Sequence, residues 1–426
     1  MKINRKRKIE SAITSSESGF ALIIVMLVLV MMTVLGLNAI MTSSTDIQIS
    51  GNEKVAVRAL SIAEAGLNHG MRRLRGQTFD TLLAGLVDEN SKYTLIDGTT
   101  FDSGTYKVYL RNNYQTDGGD AGKNMYNSDG DNRIIIRSEA TYNNITKVIE
   151  SEVERIASDF PIVAGISIAG AVEEFEVEDY SVRISGNNTA PPSGSGNWPS
   201  TTCSAQSGIA VKDNTAQTTI NTAITNGKVK CNTSPASQTT ISGAGGSSCG
   251  NAVDVNDTSL SNLGTITQTA TDLMKYADRT ITVQDDQDDN VTMSNISWGT
   301  FDNPQITVVD FKNTTGEREL RIEGNSTGYG ILIVNAASNE GSELDLRGNF
   351  SWYGVIVLTN YGEADLDNGG NISIYGGLLL ANSGDGDADS EIELKGNVGI
   401  YYSCAANQRA QNYSALKVQS WHEVSS

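Results

Sequence analysis

The chain has 426 residues and a formal net charge of −19, with 50 acidic and 31 basic side chains. This length allows two or three domains. The acidic surface excludes duplex nucleic acid as an expected partner, because a phosphate backbone would repel it. A composition rich in Gly, Asn, Ser and Thr with only six prolines is typical of a secreted, β-rich protein.

Residues 20–40 (FALIIVMLVLVMMTVLGLNAI) carry no charge and are long enough to cross the hydrocarbon core of a bilayer as a helix. The basic residues crowded into the first ten positions predict that this end stays in the cytoplasm. A secretory signal peptide would have a small-residue cleavage site after the apolar stretch, and none follows Ile40. We therefore expect a single-pass inner-membrane helix.

The helical pattern continues beyond the apolar stretch. Residues 43–75 contain no proline, and one stripe at helical spacing runs from Ala56 to Leu74, with charged residues on the opposite side. This pattern predicts one helix over residues 20–75, about 80 Å long. The alternative is a membrane anchor followed by a separate amphipathic helix that docks on a soluble domain.

The segment Ser16-Glu17-Ser18-Gly19-Phe20 lies between the basic leader and the apolar helix. Together with Gly51-Asn52 and Ala63–Leu67, it resembles the N-terminal region of PilX-type minor pilins of type IV pili. The resemblance covers about residues 15–75. It implies that residues 1–19 are a leader, and that a prepilin peptidase cleaves after Gly19 and methylates Phe20. It also implies other pilins, other minor pilins and an inner-membrane assembly platform as partners, and a final location in a pilus at the cell surface.

One position departs from the pattern of major pilins, which carry a glutamate at the fifth mature position. That position is Ile24 in this chain. A carboxylate in hydrocarbon is costly unless it is paired, and the glutamate of the family is thought to meet the N-terminal amine of a neighbouring subunit. Its absence favours a low-abundance subunit, such as one at the tip, over a bulk component of the fibre.

Residues 76–160 show strand patterns at 106–110 and 133–137, and Asn143-Asn144 lies between two further strand-like runs as in a hairpin. A small antiparallel sheet packed on the long helix is expected. The loop before residue 133 contains Asp129 and Asp131, which could supply oxygen ligands to Ca²⁺. A solvated turn is the simpler interpretation, since Asp and Gly tolerate turn geometry.

A Gly-Asn pair recurs at residues 324–325, 348–349, 370–371 and 396–397, and the first three copies lead into apolar runs. Offsets of 24, 22 and 26 residues are typical of the coils of a parallel β-helix. The apolar runs would then stack as an interior ladder. An antiparallel meander is the alternative. Asp385, Asp387 and Asp389 form a second candidate Ca²⁺ loop, for which a solvated loop is again the simpler interpretation.

The predicted fold is therefore α+β: a long N-terminal transmembrane pilin helix on a small antiparallel sheet, followed by a mainly-β, solenoid-like domain. The expected boundaries of the second part are 161–187 for its start, 188–300 for a Ser/Thr/Gly-rich insertion, 301–405 for the β-repeat domain and 406–426 for a tail. Outside the cytoplasm, one or two disulfides are expected, and three pairings are open. The four cysteines are Cys203, Cys231, Cys249 and Cys404.

No catalytic arrangement is evident. The two histidines are His69, in the long helix, and His422, near the end of the chain. The expected protein is not an enzyme and requires no cofactor. It is a minor, tip-located type IV pilus subunit that takes part in assembly and displays a β domain. The alternatives are a tip adhesin for a surface or glycan, and a minor pseudopilin of type II secretion.

Overall fold

A computed structural model describes most of the chain. The described residues are 10–88, 90–113, 125–156, 158–233, 238–246, 248–283, 290–311, 318–336, 342–359, 363–366, 370–382, 391–413 and 415–424. The first nine residues of the predicted leader and the candidate loop with Asp385, Asp387 and Asp389 lie outside these ranges.

Helix α1 (Glu10–Leu74) is one continuous element, as the proline-free pattern predicts. At 1.5 Å per residue it is about 100 Å long, and it begins ten residues before Phe20. The apolar stretch at 20–40 is exposed along its whole length, whereas the last turns of the helix are buried on one face. α1 therefore contains an apolar segment long enough to span a membrane, and its last turns pack in a folded domain.

The first domain places an antiparallel sheet on the second half of α1. Its elements up to residue 155 are α2 (Phe79–Leu83), β1 (Tyr93–Phe101), β2 (Gly104–Asn112), β3 (Arg133–Tyr142) and β4 (Ile145–Arg155). Asn143 and Asn144, between β3 and β4, both have positive φ, as a two-residue hairpin turn requires. The core contains Ile62 and Leu67 from α1 and alternate residues of the strands, among them Val108 and Ile136.

The second domain follows without a further long helix. Its strands are β5 (Ala164–Ile168), β6 (Glu174–Val177), β7 (Arg183–Ser185), β8 (Ser207–Val211), β9 (Ile241–Ser242), β10 (Val253–Val255), β11 (Arg279–Val283), β12 (Asn290–Ser294), β13 (Ser297–Trp298), β14 (Gln305–Phe311), β15 (Arg318–Glu323), β16 (Asn325–Ala336), β17 (Ser342–Leu346), β18 (Asn349–Thr359), β19 (Glu363–Leu366), β20 (Asn371–Ala381), β21 (Glu391–Leu394) and β22 (Asn397–Tyr402). Its helices are α3 (Asn214–Asn226), α4 (Asp257–Leu260), α5 (Leu263–Met274) and α6 (Cys404–Asn412).

Among the described residues, all pairings between the named strands of this domain are parallel. The domain is therefore a β-solenoid, and the alternative of an antiparallel meander is wrong. One wall is a six-stranded sheet in the order β12-β15-β17-β19-β21-β6. The other walls belong to a twelve-stranded sheet. Its long strands β16, β18 and β20 contain Gly330, Gly354 and Gly376, which have φ between 112° and 142°, and β16 and β20 change one pairing partner near these glycines. Only glycine adopts this backbone easily, so these glycines form a corner of the solenoid.

The Gly-Asn pairs form another corner, where the asparagine side chains stack from coil to coil. Asn349 Nδ2 donates to Asn325 Oδ1 at 2.8 Å, and Asn371 Nδ2 donates to Asn349 Oδ1 at 3.0 Å. Asn397 continues the row through its own amide contact with Asn371. The Gly-Asn repeat of the sequence thus keeps the coils in register through hydrogen bonds between asparagine side chains.

The apolar runs are only half interior. In β16, Leu332 and Val334 face the interior of the solenoid, while Ile331 and Ile333 lie in a second apolar cluster that also contains residues of α5 and α6. A strand with both faces buried is apolar at every position, and this is why the runs are continuous and do not alternate. The prediction that the apolar runs form one interior ladder is therefore wrong, because only alternate residues of each run face the interior.

Residues 188–300, expected as an insertion, contribute strands to both parallel sheets. β8 and β10 extend the twelve-stranded sheet at one end, and β11 is its last strand at the opposite end. β12 is the first strand of the six-stranded sheet. β5 pairs with β20, and β7 pairs with β22. The first strands of the domain therefore pair with its last coils. After β10 the chain crosses to the opposite end of the solenoid at β11, and from there it coils back toward β20.

Residues 406–426, expected as a tail, form most of α6 and a final strand, β23 (Leu416–Val424). β23 pairs antiparallel with β4 over the span from Leu416↔Arg155 to Val424↔Val148. The C-terminus therefore completes the sheet of the N-terminal domain. The chain enters and leaves the solenoid side by side, where the Ile156 amide donates to the Ala415 carbonyl at 2.9 Å.

Candidate functional site

The structure divides α1 into two surfaces. From Phe20, which is 67% exposed, to Val57 its large apolar side chains face outward. From Ala59 onward, one face is buried against the sheet of the first domain. An apolar surface of this length is expected to be covered by a bilayer or by other helices. This surface is the candidate functional site.

α1 approaches the sheet closely at Gly66. A Cβ atom at this position would lie 2.4 Å from Ser138 Oγ and 2.8 Å from Tyr106 Cδ2. Ser138 is fully buried on β3, so neither contact can be relieved by movement into solvent. Glycine at this position is what allows the helix to lie directly on β2 and β3.

We expect Gly66→Ala to destabilise the first domain by about 1–3 kcal/mol, the usual cost of overpacking a core. Gly51→Ala is the matched control, because Gly51 is in the same helix and a Cβ atom there would meet nothing within 4 Å. Alanine at this control position should stabilise by up to about 1 kcal/mol. Thermal unfolding of the two variants measures both effects. Equal unfolding temperatures would contradict the close packing of α1 on the sheet.

Polar contacts fix the same half of α1. Arg58 donates two hydrogen bonds to the Asp102 carboxylate, at 2.8 and 2.6 Å, and these hold the β1–β2 turn. The hydrogen bond from Arg58 lowers the pKa of Asp102. His69 Nδ1 lies 2.7 Å from Tyr106 Oη, and burial, together with Arg73 and Arg72, lowers the pKa of His69. His69 is thus a packing residue between helix and sheet.

The expected processing junction lies within α1. Gly19 and Phe20 are successive helical residues, and Ile24 is 48% exposed on the apolar surface one turn later. Among the described residues, Glu53 is the first glutamate of the helix beyond the junction. From Phe20 to Thr45, α1 therefore presents only apolar and hydroxyl side chains to its surroundings, apart from Asn38.

Asp129 and Asp131 form the turn that precedes β3. Asp129 Oδ1 accepts from the amides of Asp131 and Arg133, and Asp131 Oδ1 accepts from the Arg133 amide at 3.1 Å. The Asp129 amide in turn donates to Asp80 Oδ1 at 2.7 Å. Burial raises the pKa of Asp129 to about 6. These carboxylates organise the turn through backbone hydrogen bonds, and Ca²⁺ binding there stays a prediction.

The structure pairs all four cysteines. Cys203 bonds to Cys404, at the start of α6, and Cys231 bonds to Cys249. The first disulfide closes a sequence separation of 201 residues, and the second closes one of 18. The long bridge ties the segment before β8 to the helix that covers β16, β18 and β20.

Aromatic residues of the repeats form a ladder along one corner. Tyr329, Tyr353, Tyr375 and Tyr401 stack with ring centroids 4.8, 5.7 and 5.1 Å apart. Trp198 packs beside this ladder. The rings present their faces to one another, whereas a sugar-stacking platform needs free faces. The arrangement supports a structural role for these tyrosines.

Two features were not foreseen from the sequence. The first is β23, although the alternation in Leu416–Val424 is a strand signal of the ordinary kind. The second is a set of acidic residues brought into register on the six-stranded wall. Only the register between successive coils reveals this second feature.

Residues 18–68 match the family model of the PilX N-terminal region. The match covers the expected junction, the apolar stretch and part of the half of α1 that lies on the sheet. No curated protein sequence matches the chain. Among solved structures, the crystal structure of the competence-associated pilin ComZ from Thermus thermophilus aligns with 87% of this chain and 97% of that chain, at 11% identity and a TM-score of 0.22. A TM-score this low carries no argument about fold.

The family match and the exposed and buried surfaces of α1 concern the same part of the chain. The N-terminal region of this chain is similar to the PilX N-terminal region, and a large C-terminal β-solenoid domain follows it.

Proposed function

We propose that this protein is a low-abundance pilus subunit that is processed at Gly19–Phe20 and packs into the filament through α1. Its solenoid is then displayed on the outside, at or near the tip. The observation that carries the proposal is the single uninterrupted α1, whose first half is apolar and uncovered while its second half is locked to a folded domain. Such a helix can pass from bilayer to filament without refolding.

The position of the solenoid supports display. It joins the first domain beyond β4, and the chain returns to the same sheet as β23. Two adjacent connections hold it at the end of the sheet, away from the apolar half of α1. A domain of this size on every subunit would be hard to accommodate along a fibre, which supports a minor or terminal subunit.

The proposal is tested by immunoblotting pili sheared from cells. We expect the protein in the pilus fraction at a copy number far below that of the major subunit, and loss or shortening of pili when its gene is deleted. Normal pili combined with loss of secreted enzymes in the deletion strain would contradict it and would support a type II secretion pseudopilin.

Ile24 provides a prediction within the same assay. Ile24→Glu restores a carboxylate at the fifth mature position, where it can pair with the amine of a neighbouring N-terminus. We expect its amount in the pilus fraction to rise several-fold relative to the unaltered chain. Ile24→Leu is the matched control and should leave the amount unchanged. Equal amounts of the unaltered chain and of both variants in the pilus fraction would show that residue 24 does not determine copy number.

A further inference from the structure

The strand register of the six-stranded wall brings acidic residues into two neighbouring rows. Strand pairing aligns Glu319, Glu343, Glu363, Glu391 and Glu174 in one row. A second row contains Arg321, Asp345, Asp365, Glu393 and Glu176. Neighbouring strands are about 4.8 Å apart, and like charges directly opposite each other destabilise a sheet. The alignment therefore has a cost that a bound cation would offset.

The rows converge at Glu319, Glu343 and Asp345. One carboxylate oxygen from each residue lies within 4.8 Å of the other two. Glu319 belongs to β15, and the other two residues belong to β17. These two strands are on successive coils, so the cluster exists only when the solenoid is formed.

Asp345 provides a second, independent observation that points to a ligand at this cluster. Its side chain is fully buried. Its Oδ2 atom accepts from Arg321 Nε at 2.8 Å and lies 2.6 Å from Arg347 Nε. Its Oδ1 atom is buried and has no hydrogen-bond partner among the described residues. A buried charged acceptor that lacks a partner costs more free energy than a neutral one.

We propose that Glu319, Glu343 and Asp345 form a Ca²⁺ site that bridges two coils of the solenoid. Ca²⁺ binds oxygen ligands at about 2.3–2.6 Å, so two ligands on opposite sides of one ion are separated by about 4.8 Å. The three oxygens lie within this distance of one another, so one ion can reach all of them. Glu343 is half-buried, which leaves a side open to the water molecules that complete a shell of six to eight oxygens.

Two arginines orient the carboxylates of the cluster. Both guanidinium groups engage Oδ2 of Asp345, and Arg321 also pairs with Oε1 of Glu319. Oδ1 of Asp345 is therefore the oxygen that remains for the cation, and three carboxylates against two guanidiniums leave a net negative charge. Burial and the adjacent Asp345 carboxylate also raise the pKa of Glu319, as expected where carboxylates crowd together.

The test is calorimetric titration of the purified full chain in detergent micelles with CaCl₂ as the sole divalent salt. We expect one saturable site, and an increase in the unfolding temperature with rising Ca²⁺. Glu343→Gln and, as a second variant, Glu319→Gln should each weaken binding at least tenfold. Glu178→Gln is the matched control. It removes a charge from a second acidic group, formed by the exposed Glu176 and Glu178 and the half-buried Glu393, and should leave the affinity unchanged.

The proposal is overturned if the unaltered chain shows no saturable Ca²⁺ binding at millimolar concentration. It is equally overturned if Glu343→Gln and Glu319→Gln both fold and bind as the unaltered chain does, or if Glu178→Gln alone abolishes binding. Because the assay uses purified protein, its outcome is independent of whether the chain enters a pilus.

Discussion

Deleting residues 415–426 is expected to unfold the N-terminal domain, although the deletion lies more than 250 residues away along the chain. β23 forms the edge of the sheet and covers β4, which carries the buried Ile149, Ser151 and Val153. Ser151 Oγ donates to the Ser420 carbonyl at 2.8 Å, so removal of β23 leaves a buried hydroxyl without its partner. Lys147 also loses its ion pair with Glu423.

We expect this truncation to lower the free energy of unfolding of the first domain by more than about 4 kcal/mol, a value that single substitutions rarely reach. The open edge of β4 should also promote aggregation. Chemical denaturation and limited proteolysis measure the effect. A chain that ends after Val424 keeps β23 complete and is the control. Equal stability of the two chains would show that β23 is dispensable.

The second large effect is expected from the long disulfide. Replacing Cys203 and Cys404 together by serine removes a cross-link over 201 residues, and the chain-entropy estimate for such a loop is about 5 kcal/mol. Cys404 lies at the start of α6, which packs on β16, β18 and β20. Loosening of α6 should therefore uncover the apolar outer face of these strands.

The double replacement of Cys231 and Cys249 is the matched comparison. It opens a loop of 18 residues, for which the same estimate is about 3 kcal/mol. We expect the unfolding temperature under non-reducing conditions to fall more for the long bridge than for the short one, and to be the same for all chains after reduction. A reversed order would argue that the long bridge does not hold α6 in place.

Much of the fold follows from local patterns in the sequence. The helix predicted over residues 20–75 forms because neither proline nor a charge cluster interrupts its apolar stripe, whereas the extension of α1 back to Glu10 was not predicted. Asn143-Asn144 marks a turn because both residues tolerate positive φ. The Gly-Asn repeat predicts the solenoid, since glycine corners and stacked asparagine amides must recur once per coil.

What could not be predicted depends on pairings between distant segments. No local pattern indicates that β5 lies beside β20, or that β23 returns to β4. Residues 188–300 resemble an insertion because their strands are short and separated by helices, and their pairing partners are elsewhere in the chain. The Glu319–Glu343–Asp345 cluster arises only from the register of β15 and β17. In the sequence, these residues are ordinary charged positions of alternating strands.

The central claim is that α1 begins as a membrane helix and becomes the packing helix of a pilus subunit. The most direct test is mass spectrometry of the N-terminus of the protein recovered from sheared pili. The account predicts a chain that begins at Phe20 with a methylated amine. An N-terminus at Met1, or one beyond Ile40, would contradict it.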